Sequence, residues 1–202
     1  LATVTIRPAT PTPPAIETER LLLRPWRDED VHEYGRLLRD DDVMRYLGSG
    51  WRYRLKRAAG AAIATVSDVE ARRAVRTLRT HWARLGFGEW AVEEKETGRF
   101  VGQIGLHEHP DWRADQANVE VGWLLLPDAW GKGYATEGAR ASLAYGFGEA
   151  GLDRVISIAL VANLRSVAVM ERIGLAYVGR TRWHRSDVCW YAVDRADWSE
   201  AR

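Results

Sequence analysis

The sequence predicts an α/β (α+β) domain, a mixed sheet flanked by helices. Three observations carry this. Apolar residues recur at helical spacing up to about residue 85. From Gly88 the period becomes that of strands. The run from Arg154 to Val161 (RVISIALV) is apolar on both faces, as in a strand covered on both sides. The order along the chain reads β-α-α-β-β-β-α-β-α-β-β.

Residues 1–15 hold four of the seven prolines, Pro8, Pro11, Pro13 and Pro14. Proline fixes φ and removes a donor, so this stretch is expected to be an extended leader, with a single domain over 16–202. Arg20 to Trp26 is the first strand. Asp28, Glu29 and Asp30 then place negative charge where a helix N-terminus favours it. Val31, Tyr34 and Leu38 supply that helix's apolar face. Leu55 to Val66 is expected to form a short helix. A longer one covers Val69 to Leu85, with Val75, Leu78, Trp82 and Leu85 as its stripe. Three strands follow: Glu89–Glu94, Phe100–His107 and Asn118–Leu126. A helix from Tyr134 to Ala150 leads to the covered strand. Asn163 to Ile173 is helical and ends at Gly174. Strands at Ala176–Arg182 and Val188–Val193 close the chain.

Composition excludes several classes. The 202 residues are 46% hydrophobic and 28% charged, enough for a full core without staples. Lys plus Arg number 29 against 28 acidic residues, a net charge of +1 that argues against nucleic acid as a partner. Cys189 is the only cysteine, so there is no internal disulfide and no CxxC motif; it reads as an inert core thiol. No 18-residue apolar run spans a membrane, and the start lacks the plan of a signal peptide, so a cytoplasmic protein is expected. His107, Glu108, His109 and Asp111 crowd one hairpin. HxH suits a metal, but no further ligand follows at a sensible spacing, so no metal is expected and these residues line a substrate mouth or face water. From Trp51 to Arg84, nine Lys/Arg face two acids, a local net of +7. A solvated amphipathic helix pair is the default. The sharper alternatives are recognition of an acidic substrate or an RNA-associated binding protein.

The stretch from Val121 to Glu137 (VGWLLLPDAWGKGYATE) carries the chemistry. A strand ends at Pro127, and Gly131-Lys132-Gly133-Tyr134-Ala135 opens a helix. Glycines let backbone N–H groups face a ligand, and the helix start adds free donors and partial positive charge. The physical reading is a pyrophosphate cradle. A P-loop would need Ser or Thr where Gly133 stands, and a dinucleotide fingerprint would need Gly where Thr136 stands. The plainer alternative is a helix start with two turn glycines.

Read together, strand–LP–WGKGYATE–helix–strand–NLRS–helix–GLAYVG resembles the GNAT superfamily of N-acetyltransferases. More narrowly it resembles the branch that includes the ribosomal-protein N-terminal acetyltransferases. The superfamily's acyl-CoA motif [QR]xxGx[GA] reads Trp130-Gly131-Lys132-Gly133-Tyr134-Ala135 here, with Trp130 at the polar first place. The resemblance runs from about Glu17 to Trp198, through ETERLLLRPW, WAVEEKETGRFVGQIGL and NLRSVAVMERIGLAYVGR.

The resemblance implies a single domain with a central sheet of about seven strands and helices on both faces. Two adjacent parallel strands splay apart, and the pantetheine arm of acetyl-CoA lies in the gap. Backbone groups of Trp123, Leu124 and Leu125 would bond it, one of them also holding the thioester oxygen as charge develops, and Trp130 to Ala135 would hold the pyrophosphate. Asn163 and Ser166 would look toward the sulfur with Met170, at i, i+3 and i+7 on one helix face. Met170 stands where many members carry an acidic Tyr. It cannot donate a proton, which leaves Ser166, or water, as donor to the thiolate. Glu120 would remove the amine's proton, directly or through water. The plainer reading of Glu120 is a solvent-facing strand residue in a salt bridge. Glu137, the competing carboxylate, reads as compensation for the helix dipole.

The expected activity is direct acetyl transfer from acetyl-CoA to a primary amine, a protein N-terminus or a small molecule, in a ternary complex. The rivals are a catalytically silent acyl-CoA-binding sensor or scaffold and the RNA-associated protein. A homodimer is left open. Of the ten tryptophans, Trp51, Trp112 and Trp183 fall in loops or the helical insertion, and some of them are expected to wall the acceptor site.

Overall fold

The computed structural model describes residues 13–46 and 66–199. The strands are β1 (Ile16–Glu17), β2 (Leu21–Arg24), β3 (Glu89–Glu94), β4 (Arg99–Glu108), β5 (Val119–Leu125), β6 (Arg154–Leu160), β7 (Ala176–Trp183) and β8 (Ser186–Asp194). The helices are α1 (Asp30–Arg39), α2 (Asp41–Met44), α3 (Asp68–Leu85), α4 (Tyr134–Phe147) and α5 (Leu164–Arg172), with a 3-10 turn at Pro127–Ala129. The strands form one eight-stranded sheet in the order β1-β2-β3-β4-β5-β6-β8-β7.

The extra strand beyond the expected seven is β1. Its two residues pair antiparallel with β2 and are too few to show an alternating pattern. The short α2 also escaped the pattern, although Asp40 caps it by accepting from the N–H groups of Asp42 and Val43. The helix expected over 55–66 falls outside the described residues, apart from Val66, which is not helical. Trp51 also falls outside them.

Local chemistry sets the element ends. Ser67 and Glu70 form a capping box at the start of α3, and Gly86 ends it at φ 73°. On α1 the fully buried residue is Leu37, not Leu38, which is only half-buried. Helices cover both faces of the sheet. Against one face α1 and α3 pack Val31, Tyr34, Leu37, Val75 and Leu78 onto Ala91, Phe100 and Leu126. Against the other face, α4 and α5 pack Leu143, Phe147 and Met170 onto Trp90, Ile104, Leu106 and Val121. Each such fully buried side chain contributes about 1.5–3 kcal/mol. A Cβ on Gly138 would stand 2.5 Å from Ile104 Cδ1, so α4 lies tight on β4.

Every strand pair is antiparallel except β5–β6. That parallel pair is in register only at Glu120↔Ile156, after which the strands part. By contrast β5 follows β4 along its whole length, from Glu108↔Val119 to Gly102↔Leu125.

Candidate active site at the parting of β5 and β6

The parting leaves backbone groups of β5 without a strand partner. In an antiparallel ladder, alternate residues turn their N–H and C=O to opposite neighbours. Asn118 C=O accepts from His109 N–H on the β4 side, so the odd-numbered residues of β5 face β6. Val121 C=O accepts from Ser157 Oγ at 2.9 Å, and Leu125 C=O from Trp130 Nε1 at 2.8 Å. Between them, the peptide groups of Trp123 face the gap. Those of Leu124 turn to β4, so this residue borders the cavity by its side chain.

A cavity runs through the gap and reaches both faces of the sheet. It is lined on β5 by Glu120, Trp123, Leu124 and Leu125. At its end it meets Trp130, Gly131, Gly133, Tyr134 and Ala135, and on α5 it meets Asn163, Ser166 and Met170. All the expected site residues except Lys132 therefore border one space.

Gly131 and Gly133 lie at φ 76° and 84°, where a Cβ is strained, and a Cβ on Gly133 would stand 3.3 Å from Arg20 Nη2. Gly133 caps α4 without a side chain, and the first amide satisfied within the helix is that of Glu137, which donates to Gly133 C=O. The amides of Tyr134, Ala135 and Thr136 thus find no acceptor within the helix, as at any helix start. Residues present fit a pyrophosphate at this end and an extended arm along Trp123. Arg140, Arg165 and Arg172 border the same cavity, the Arg165 guanidinium 5.3 Å from the Trp130 ring centroid.

The cradle is held from behind by residues the motif did not reveal. Glu137 Oε1 accepts from Thr18 Oγ1 (2.6 Å) and Arg20 N–H (2.8 Å), and Oε2 accepts from Arg20 Nε (2.8 Å). Arg20 Nη1 also donates to Lys132 C=O at 2.8 Å. Burial pushes the Glu137 carboxyl up, but the Thr18 and Arg20 bonds win and hold it below its ordinary value. Glu137 is thus a clamp as well as a first-turn acid. Tyr134 Oη donates to Glu94 Oε1 at 2.5 Å, and Thr97 Oγ1 donates to Glu94 Oε2 at 2.7 Å. Lys132 turns its ammonium to Glu94 at 3.5 Å, away from the cavity. Nothing in the sequence pattern signalled this clamp, because Arg20 and Glu137 stand 117 positions apart.

On α5, Asn163 is the N-cap and accepts from Ser166 N–H at 3.2 Å. Ser166 is half-buried, and Met170, 1% exposed, closes the floor. Across the gap, Glu120 Oε1 accepts from Ile158 N–H at 2.9 Å, a donor that the parting strands would otherwise strand. Its Oε2 lies 2.6 Å from His109 Nε2. Glu120 is therefore not solvent-facing: its side chain is 16% exposed.

The tryptophan expectation fails for Trp112 and Trp183, while Trp51 lies outside the described residues. Trp112 is 2% exposed in a small core with Ile156, Val188 and Trp190, and neither it nor Trp183 borders the cavity. Trp183 packs edge-on to His109 instead. Cys189 is buried, which raises its thiol pKa. Among the described residues no cluster of three His, Cys, Asp or Glu could hold a metal, and no helix is long and apolar enough to cross a membrane. Two arginines of α3 are spent on ion pairs, Arg79 with Asp28 and Arg84 with Glu108.

A family model described as an acetyltransferase (GNAT) domain matches residues 20–176. The chain belongs to the GNAT acetyltransferase family. YkkB of Bacillus subtilis is 32% identical over 170 residues, covering 83% of this chain and 89% of YkkB. A GNAT-family acetyltransferase from Bacillus anthracis superposes with a TM-score of 0.69 at 26% identity, over 90% of this chain and 99% of that one. RimL, a ribosomal L7/L12 α-N-protein acetyltransferase in complex with coenzyme A, gives a TM-score of 0.70 at 18% identity over 90% and 98%, a likeness of fold. The GNAT match spans the cradle, β5, β6 and α5, the elements that build the cavity.

Proposed function

We propose that this protein transfers an acetyl group from acetyl-CoA directly to a primary amine in a ternary complex. The observation that carries the reading is the gap at Trp123, which opens at one end on the start of α4, where Gly133 brings no capping side chain, and at the other on Glu120. The amides of Tyr134, Ala135 and Thr136 would hold the pyrophosphate, and the peptide groups of Trp123 the pantetheine arm. The Trp123 N–H would also stabilise the thioester oxygen, a contribution of about 10²–10³ in rate.

The amine loses one proton toward Glu120, directly or through an intermediary. Its nitrogen then attacks the carbonyl carbon, the C–N bond forms and the carbonyl electrons move to oxygen. Collapse breaks the C–S bond. The thiolate takes a proton from Ser166 Oγ, which regains one from the nitrogen. Direct attack is supported by the burial of Cys189, and in this reading Ser166 serves as a proton donor rather than as a nucleophile. The acceptor is a peptide N-terminus or a small amine; the branch resemblance leans toward the former.

Acetyl-CoA binding only the folded state should raise Tm. Thiol release should then appear with at least one member of a panel of Ser-, Ala- and Met-initiated peptides and small polyamines. Glu120→Gln should cut kcat about 10²-fold or more with acetyl-CoA affinity kept. A Tm shift with no turnover of any amine would instead describe a silent acyl-CoA-binding domain.

A further inference from the structure

Glu120 does not face the cavity alone. It begins a row of side chains on one face of β3, β4 and β5. Register sets Glu120 opposite His107, and Glu89 opposite Gly105, two residues along β4 from His107. His109 follows β4, its backbone N–H tied to Asn118 C=O at 2.8 Å. Glu89, His107, His109 and Glu120 all border the cavity.

The contacts in this row are directional. Both oxygens of Glu120 are engaged, one by Ile158 N–H and one 2.6 Å from His109 Nε2. A carboxylate at this distance fixes Nε2 as the protonated nitrogen and leaves Nδ1 as the basic one. Trp183 holds the ring edge-on at 4.8 Å. The His107 ring lies 4.9 Å from that of His109, and its Nδ1 lies 3.4 Å from Glu89 Oε2. Beyond it, His81 stacks on His107 at 4.8 Å, but both its nitrogens are taken: Nδ1 is 3.1 Å from Phe87 C=O, and Nε2 accepts from Glu108 N–H. A proton therefore travels no further than His107, whose side chain is 35% exposed and opens to solvent.

We infer that His109 is the catalytic residue that takes the acceptor amine's proton, that Glu120 is its positioning residue, and that the His107–Glu89 pair receives the proton next. This deepens the transferase reading and rests on it. The ammonium gives one proton to His109 Nδ1, and the freed amine attacks as described above. His109 then passes its proton to His107 and so to water. The sum is ammonium plus thioester giving amide, thiol and one released proton. Burial opposes charge on His107, yet Glu89 and then Glu120 and Glu108 outweigh it and raise its pKa. The other charged groups facing the row are Arg84 of α3, held by Glu108, and His184 with Asp111 beside Trp183.

The test compares pH profiles of kcat/KM for the wild type, His109→Gln and Glu120→Gln, using the amine of the panel that the wild type turns over best. His109→Gln should lower kcat about 10²-fold or more, hold the acetyl-CoA KM within about 2-fold, and lose the acid limb of the profile or move it by more than about one pH unit. Glu120→Gln should keep a limb, displaced. In His109→Ala, added imidazole should restore part of the rate, which a merely structural role would not allow; this arm also serves if the Gln variant folds poorly. A limb unchanged in His109→Gln, or no imidazole rescue, overturns the assignment while leaving acetyl transfer intact. A wild type that turns over no amine overturns the transferase reading instead.

Discussion

His81 shows how one residue ties stability to pH. It is 8% exposed, and its hydrogen bonds require a neutral ring with the proton on Nδ1. Burial, reinforced by His107, lowers its pKa from 6.5 to about 4. Between these two values the unfolded chain binds a proton there and the folded chain does not, so stability falls as pH drops through that window. The urea midpoint should fall between pH 7 and pH 4.5, and His81→Gln should show a smaller fall over the same range. An equal fall in both would remove His81 as the source. Below about pH 4 the loss should continue in both proteins. Glu94, drawn down to about 2 by Tyr134 and then Thr97, and Glu137 still demand deprotonation there. Glu120 was legible at this scale as a residue of interest, because strand alternation isolates it among apolar neighbours. Its partner was not. HxH was read as lining a substrate mouth or facing water, and both histidines do border the cavity, but only the β4–β5 register and the loop return bring His109 to the carboxylate.

At the scale of elements, the join of β2 to α1 depends on a buried ion cluster. Arg24 is 5% exposed and donates through both Nη atoms to Asp30, at 2.8 and 2.7 Å, and through Nε to Glu93 at 2.7 Å. Asp30 in turn accepts from Arg27 N–H where α1 begins. Removing the cation leaves the buried Asp30 with only the Arg27 N–H and the half-buried Glu93 with only the more distant Arg27 guanidinium. Arg24→Met should therefore cost about 3–5 kcal/mol, read as a lower urea midpoint. Arg36→Ala, which breaks only the exposed pair with Glu33, should cost about 1 kcal/mol or less. Similar losses for the two would mean the buried cluster is not what joins the elements. The acidic run Asp28–Asp30 suggested dipole compensation, and Asp30 does lie on the first turn. Its stronger role required β3 beside β2, a pairing of residues about 69 positions apart that local pattern cannot show. Long elements such as α3 and β4 were legible because burial repeats at helical spacing along α3 and is an unbroken run along β4. The two-residue β1 and four-residue α2 were not, each spanning about one period and so unable to repeat it.

Across the whole molecule, a net charge of +1 conceals a division. The α4–α5 side of the cavity carries Arg140, Arg165 and Arg172 with Glu149 and an Arg20-paired Glu137, while the β3–β5 side carries Glu89 and Glu120 with their histidines. One end suits phosphates and the other an ammonium, and the gap is the passage between them. The sheet is correspondingly two units, β1 to β5 and β6-β8-β7, joined by one parallel register point, the Ser157–Val121 bond and the Glu120–Ile158 bond. The order of these elements could be read from the chain, and so could the cradle. The division of charge could not, because it depends on which side of a sheet each residue faces after folding.

Trp130 ends β5's exposed edge with its indole N–H and carries Arg165 over its ring. That position makes it an optical gauge of occupancy. Phosphates arriving at Gly131 and Gly133 would draw the guanidinium's field away from the indole and alter its emission. Titration with coenzyme A should change the fluorescence, and Trp130→Phe should abolish most of that change despite nine remaining tryptophans. A full signal from the variant would place the phosphates elsewhere. In this chain, the ring that stands where the family's motif has a polar side chain would also report, in light, whether the cradle is filled.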